Sequence, residues 1–378
     1  ATLCARSRAS ARAPRARARG PRDASRASPS LDAVTCAREG VATRRVRRGI
    51  GAMDSPESTN PTSSETRVHE KWPGNETFLC NGRVVGGPSP GAAVWTAALV
   101  LAPSAVFCVF VVNESLRRRM GDWTLAVSVA MPLWCVFWLF KTSFTDPGIL
   151  PRLERRPGTS SMRGKTRETT VATTGRTATT RWNDTCGYFQ PPRAHHCSVM
   201  NDCVERFDHH CPWTGTTIGR RNYRAFLTFT FSTAALCAWT MVMCGYAVSY
   251  RSRGEGAHVG MRRSGVAITV FIVAAFGFFF VGALSCFHAY LISTNQTTYE
   301  NFKDAHGWRT NPFNTGSVFK NCFEVWCARI GPPRMRFDAP QSEDASAKEF
   351  ERELAEEDAR RRDVEMGDAS AANDARER

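Results

Sequence analysis

Cys211 is the residue whose neighbours could turn it into a nucleophile, because Asp208, His209 and His210 precede it directly. A thiol of ordinary pKa, about 8.5, is only a few per cent thiolate at neutral pH, and an adjacent base or imidazolium raises that fraction. His209 can take the proton, while Asp208 holds the ring and stabilises the charge that develops on it. Adjacent side chains do not automatically face one another, so the relay needs a sharp turn of the backbone, with which Pro212 is consistent. The same residue types suit zinc. Cys186, Cys197, Cys203 and Cys211 share a short stretch with His195, His196, His209 and His210, without apolar periodicity, which is how a metal-stapled module reads. On spacing alone, catalysis by Cys211 and ligation by Cys211 and both histidines stand level.

The elements that must position these residues belong to a membrane. Ala92–Val112 and Trp123–Phe140 carry no charge, and neither do the greater parts of Ala225–Tyr250 and Gly265–Ile292. Each is long enough to cross roughly 30 Å of hydrocarbon at about 1.5 Å rise per residue. Pro132 inside the second is tolerated in a membrane helix. The expected fold class is an α-helical polytopic membrane protein, four transmembrane helices with a small loop- and β-rich cysteine-rich domain between helices 2 and 3. Residues 1–91 read as a disordered basic and polar region, 92–140 as helices 1 and 2, and 141–181 as a linker. Residues 182–224 read as the cysteine-rich domain, 225–292 as helices 3 and 4, 293–336 as a C-terminal segment, and 337–378 as a charged, disordered tail.

Four spans put both termini and the 84 residues of Lys141–Arg224 on one side of the membrane. Arginines in the two short loops run against the usual cytoplasmic excess. The long segment is therefore assigned to the cytosol on its thiols, which need reducing conditions. The chain has fourteen cysteines. Cys108, Cys135, Cys237, Cys244 and Cys286 lie in apolar runs as small hydrophobes, so no disulfide framework is expected. The net charge of +15 does not indicate a nucleic-acid binder. Residues 1–52 hold thirteen arginines against Asp23, Asp32 and Glu39, which leaves ten of the excess charges in one tract without interleaved aromatics. Met53 opens a more ordinary composition, so the tract reads as upstream translated sequence, a targeting peptide or a basic tail.

From Trp182 to Tyr223 the sequence resembles the cysteine-rich domain of the DHHC protein S-acyltransferases (palmitoyltransferases). The likeness extends to Asp146-Pro147-Gly148, to Thr297-Thr298-Tyr299-Glu300, and to Asn311-Pro312-Phe313-Asn314-Thr315-Gly316 with Asn321, in that family's order around four spans. It implies that Cys211 attacks the thioester of palmitoyl-CoA, carries the acyl group, and passes it to cysteines of membrane-associated proteins on the cytosolic side. It further implies His209 as base, polarised by Asp208, and His210 as a zinc ligand. Trp213 would border the acyl chain, Thr297 or Thr298 would support the site by hydrogen bonds, and Asn321 would hold the C-terminal segment. The expected location is an integral membrane protein of the endoplasmic reticulum, Golgi or plasma membrane, with the bilayer as partner and no nucleic acid.

The same resemblance assigns two zinc sets, and both are incomplete here. The first reads Asn183, Cys186, His196 and Cys203; the second reads Cys197, Met200, His210 and Thr217. Five of eight ligands remain, so at most one tightly bound structural zinc is expected. The competing function is a catalytically silent membrane adaptor that keeps the fold.

Overall fold

The structure, a computed structural model, describes residues 66–153, 162–304 and 310–377. The expectations for the arginine-rich tract of residues 1–52 and for Met53 lie outside the described residues.

Four helices are long and apolar enough to cross a membrane: Pro90–Met120, Trp123–Ser143, Tyr223–Arg253 and Gly265–Ser293. The third is central, since half of its most apolar window is buried against 17–28% in the others. Large side chains such as Trp95, Phe276 and Phe279 point outward, as a lipid-facing surface requires. The first span is longer than its uncharged stretch. It passes through a π-helical segment, Cys108–Leu116, into a last helical turn, Arg117–Met120, so the expected ten-residue loop shrinks to Gly121 and Asp122. Val111, Val112 and Leu116 explain the extension, for they pack with Met243 and Cys244 of the third span and Val270 of the fourth. Gly121 (φ 98°) then breaks the helix in a conformation that suits glycine.

Between the second and third spans lies the sheet-containing cysteine-rich region. Strands β3 (Thr166–Thr170), β4 (Thr177–Asn183) and β5 (Tyr188–Phe189) form one antiparallel sheet. Two hairpins follow, β6 (His195–Cys197) with β7 (Asp202–Val204), and β8 (His209–Cys211) with β9 (Thr216–Ile218). The expected flexible linker is thus partly a β-hairpin, because its threonine-rich run alternates exposed and inward residues from Thr177 to Thr180. The chain leaving the second span is tied directly to β7. Asp146 accepts hydrogen bonds from the backbone of Gly148 and Ile149, Ile149 bridges Val204, and the Leu150 amide donates to the Cys203 carbonyl.

Two further expectations need correction. Residues 66–91 are not a disordered extension: a helical turn, Val68–Lys71, and the hairpin of β1 (Thr77–Leu79) with β2 (Val84–Gly86) precede the first span. Val68 and Val85 enter a core with Met200, Val204 and Phe337, and this buried apolar area holds the segment in place. The charged tail is not disordered either. It forms the helix Ser346–Glu377, whose Phe350 is buried edge-on against Tyr188 at 5.1 Å. Ion pairs Arg334–Glu353 and Arg167–Asp358 flank that anchor. One aromatic and one leucine, Phe350 and Leu354, are too few to register as an apolar face over 32 residues, which is why sequence periodicity misses the anchor.

Candidate active site

The quartet is an extended strand rather than a sharp turn. In β8 side chains alternate, so His209 and Cys211 share one face and His210 takes the other. Register with β9 places His209 opposite Ile218, His210 opposite Thr217 and Cys211 opposite Thr216. The turn comes after the nucleophile. Gly215, at φ 69°, donates its amide to the Cys211 carbonyl, and a Cβ there would meet the Ser89 carbonyl oxygen at 2.0 Å. Only glycine fits.

Asp208 is fully enclosed and accepts three hydrogen bonds. The Thr298 amide donates to Oδ1 at 2.9 Å, the Thr298 hydroxyl to Oδ2 at 2.8 Å, and His209 Nδ1 to Oδ2 at 2.6 Å. With Nδ1 thus bound to Asp208, the imidazole stands on the Cys211 face of β8, where its charge acts on the thiol. Burial alone would raise the Asp208 carboxyl, but the His209 hydrogen bond and charge bring it down to about 2. Burial would likewise lower His209, yet its bonds to Asp208 and Cys211 push it up to about 10. For Cys211, burial raises the thiol and the His209 bond and charge outweigh it, so the net shift is downward from 9.0. The arrangement favours a thiolate–imidazolium pair.

Thr297 does not touch the relay. Its amide and hydroxyl are exchanged with Glu300, closing the turn that presents Thr298. That turn is held from below by Arg193, which grips Glu300 through two nitrogens at 2.7 and 2.8 Å with both side chains less than 10% exposed. Asn321 donates to the Ser293 carbonyl and to Asn314, and accepts from Thr315, so it joins the helix Val318–Cys327 to the end of the fourth span. Trp213 is half exposed, its ring meets Phe280, and its carbonyl accepts the Thr96 hydroxyl of the first span at 2.7 Å.

Sequence reading missed His288 and Tyr223. They share a hydrogen bond of 3.0 Å, and a nitrogen of His288 lies within 4.8 Å of donor atoms of both Asp208 and His209. An ionisable side chain inside an otherwise apolar fourth span was the signal that could have found His288. It also missed Arg193, whose pairing with Glu300 spans 107 positions.

Cys211 and Trp213 sit at one end of an apolar cavity of about 310 Å³. Its walls come from the first, third and fourth spans, among them Leu99, Phe229, Leu236, Gly277 and Phe280. From Phe226 to Thr240 it follows roughly 21 Å of the third span at 1.5 Å per residue.

The two metal sets behave differently. Cys186, His196 and Cys203 bring one donor atom each within 4.8 Å of one another, and Gln190 donates to the Cys203 sulfur at 3.4 Å. With both sulfurs reduced to thiolates, three donors of that chemistry fit zinc. Cys186 and Cys203 are joined in a disulfide, their Cα atoms 6.5 Å apart, which corrects the expectation that the clustered cysteines are all free thiols. Asn183 takes no part through its side chain, whose oxygen instead accepts the Thr185 and Cys186 amides. In the second set, Cys197 and His210 both meet the Thr217 hydroxyl, at 3.1 Å each.

A membrane bundle with a thiol–imidazole–carboxylate site at the end of an apolar cavity defines a thiol-dependent group-transfer class. Comparison with known proteins then identifies the family. Residues 176–305 match the model of the DHHC palmitoyltransferase family. Over 73% of this chain and 71% of its own length, the probable protein S-acyltransferase 6 of Arabidopsis thaliana is 36% identical. Protein S-acyltransferase 8 of the same plant is 36% identical over 72% of each chain. Human palmitoyltransferase ZDHHC14 is 35% identical over 74% of this chain and 61% of its own. The chain belongs to the DHHC palmitoyltransferase family, and by that membership it is a protein S-acyltransferase of the membrane.

Proposed function

We propose that the chain moves a palmitoyl group from palmitoyl-CoA to cysteines of membrane-associated proteins through an acyl intermediate on Cys211. The observation that carries this reading is the Cys211–His209–Asp208 relay at the end of the apolar cavity. In the first step the Cys211 thiolate attacks the thioester carbonyl carbon, the bond to the CoA sulfur breaks, and the His209 imidazolium gives that sulfur its proton. In the second step neutral His209 takes the proton of an acceptor thiol, whose sulfur attacks the acyl-Cys211 carbonyl and expels the Cys211 thiolate. Asp208, held by Thr298, keeps His209 in the tautomer both steps need. The acyl chain occupies the cavity beside Trp213, where each buried methylene is worth about 0.8 kcal/mol. Asn321 acts at a distance by fixing the C-terminal segment.

Reduced Cys186 and Cys203 with His196 hold one structural zinc, which supplies a tether between β7 and the loop before β5 when bound. The catalytic face looks into the cytosol, where acyl-CoA and reduced acceptor thiols are found, in an endomembrane or the plasma membrane.

Purified protein incubated with labelled palmitoyl-CoA should gain a hydroxylamine-sensitive label at Cys211, and Cys211→Ser should abolish both this label and transfer. A wild-type chain that stays unlabelled while still binding partner proteins would instead support the silent adaptor, a reading favoured by its depleted zinc ligands.

A further inference from the structure

The position of the second zinc set lies between the two hairpins of the cysteine-rich region. Cys197 ends β6, Met200 sits in the β6–β7 turn, His210 is on β8 and Thr217 on β9. All but His210 are buried, and Met200 and Thr217 completely so. Zinc in structural sites is held by thiolate, imidazole or carboxylate groups. A thioether and an alcohol are none of these.

The four groups satisfy one another. Thr217 Oγ1 donates to Cys197 Sγ at 3.1 Å. Its single proton is then committed, so His210 Nδ1, also 3.1 Å away, must be the donor to that oxygen. The Thr217 amide donates to Met200 Sδ at 3.4 Å. Sulfur, imidazole and thioether therefore converge on a threonine, at the point where a metal would have to stand. Outside this relay, Met200 and Cys197 share a core with Val68 and Val85 of the N-terminal segment, Ile149, and Phe337 from beyond the fourth span.

We propose that this second position is closed without metal. The relay His210 Nδ1–H to Thr217 Oγ1–H to Cys197 Sγ clips the nucleophile-bearing hairpin β8–β9 to β6–β7. Burial of Met200 against the N- and C-terminal segments supplies the cohesion that a metal gives elsewhere. Thr217 is thus the residue that replaces an ion with a hydroxyl, and the chain's zinc capacity is one, at Cys186, His196 and Cys203.

The test is zinc stoichiometry of the full chain, purified under reducing conditions and measured by elemental analysis. Wild type should hold one zinc, Cys197→Ser should leave that number unchanged, and Cys186→Ser should lower it. The double variant Met200→Cys/Thr217→Cys, which restores four thiolate and imidazole donors, should gain one zinc per chain. Two zinc ions in wild type, or loss of one in Cys197→Ser, would overturn the proposal. If the double variant does not fold, those two single-chain counts decide the matter. Because zinc is read out and not acyl transfer, failure here is distinct from failure of Cys211 to acylate.

Discussion

Ionisation of the Cys211 thiol is set by a balance between burial, which opposes it, and the neighbouring His209 imidazole, which favours it. The balance is directly testable by alkylation of Cys211 with a neutral haloacetamide as pH is varied. The wild-type thiol has its pKa below that of an ordinary thiol, so its alkylation should reach half its maximal rate at a lower pH than a free thiol's. His209→Gln removes the favourable charge and leaves the burial, so the midpoint should move above the ordinary thiol value. An unchanged midpoint would mean that His209 does not ionise with Cys211. Thr298 and Thr297 divide their labour in the same local way: one holds Asp208, the other shapes the turn that lets it do so.

At the scale of elements, the site is assembled from pieces that meet only because specific side chains join them. Asn222 links the first turn of the third span to the Thr142 carbonyl at the end of the second and to the Thr217 carbonyl of β9. Arg193 and Glu300 bind the loop after the fourth span to the strand region, and Tyr299 beside them stacks on His195 with ring centroids 3.9 Å apart. Both partners of this ion pair are buried, so removing one strands the other charge. Glu300→Ala should cost about 3–5 kcal/mol of stability, read as an earlier unfolding transition in detergent. It should also slow Cys211 acylation by displacing Thr298. A variant that unfolds and acylates like wild type would show that the pair is incidental.

For the molecule as a whole, the proposed seat of the acyl chain in the cavity would couple membrane packing to choice of chain. Gly277 of the fourth span lines it, and a Cβ there would stand 3.3 Å from the Cys237 sulfur, close to the third span. Gly277→Leu should therefore fill part of the chain's path. Each methylene excluded from burial forfeits about 0.8 kcal/mol, close to fourfold in relative affinity. Competition between palmitoyl-CoA and shorter acyl-CoAs should shift toward the shorter chains, with Cys211 labelling still observed. An unaltered preference would place the acyl chain elsewhere. The C-terminal helix adds a second long-range coupling, since Phe350 and Leu354 pack beside Cys186 and Cys203.

The four spans and the reactive quartet were legible in the chain itself, for reasons that are local. Absence of charge over some twenty residues already decides for the membrane, and the boundaries moved mainly where the first span continued through a π-helical turn. The depleted metal positions came from the family resemblance and not from local pattern, though Met200 and Thr217 are poor zinc donors in any fold. Tertiary structure alone showed that His209 shares a face with Cys211 and His210 does not, because that follows from the alternation of a strand whose pairing partner lies beyond a turn. It also decided that Thr298 and not Thr297 reaches Asp208, across 90 positions of sequence, and that His288 stands behind the relay. The ordered tail and N-terminal hairpin escaped notice for a related reason: their stability comes from a few buried side chains fitting surfaces made by distant segments. Local pattern records the solvent a segment prefers, whereas the partner of each side chain is set by packing between elements far apart in the chain.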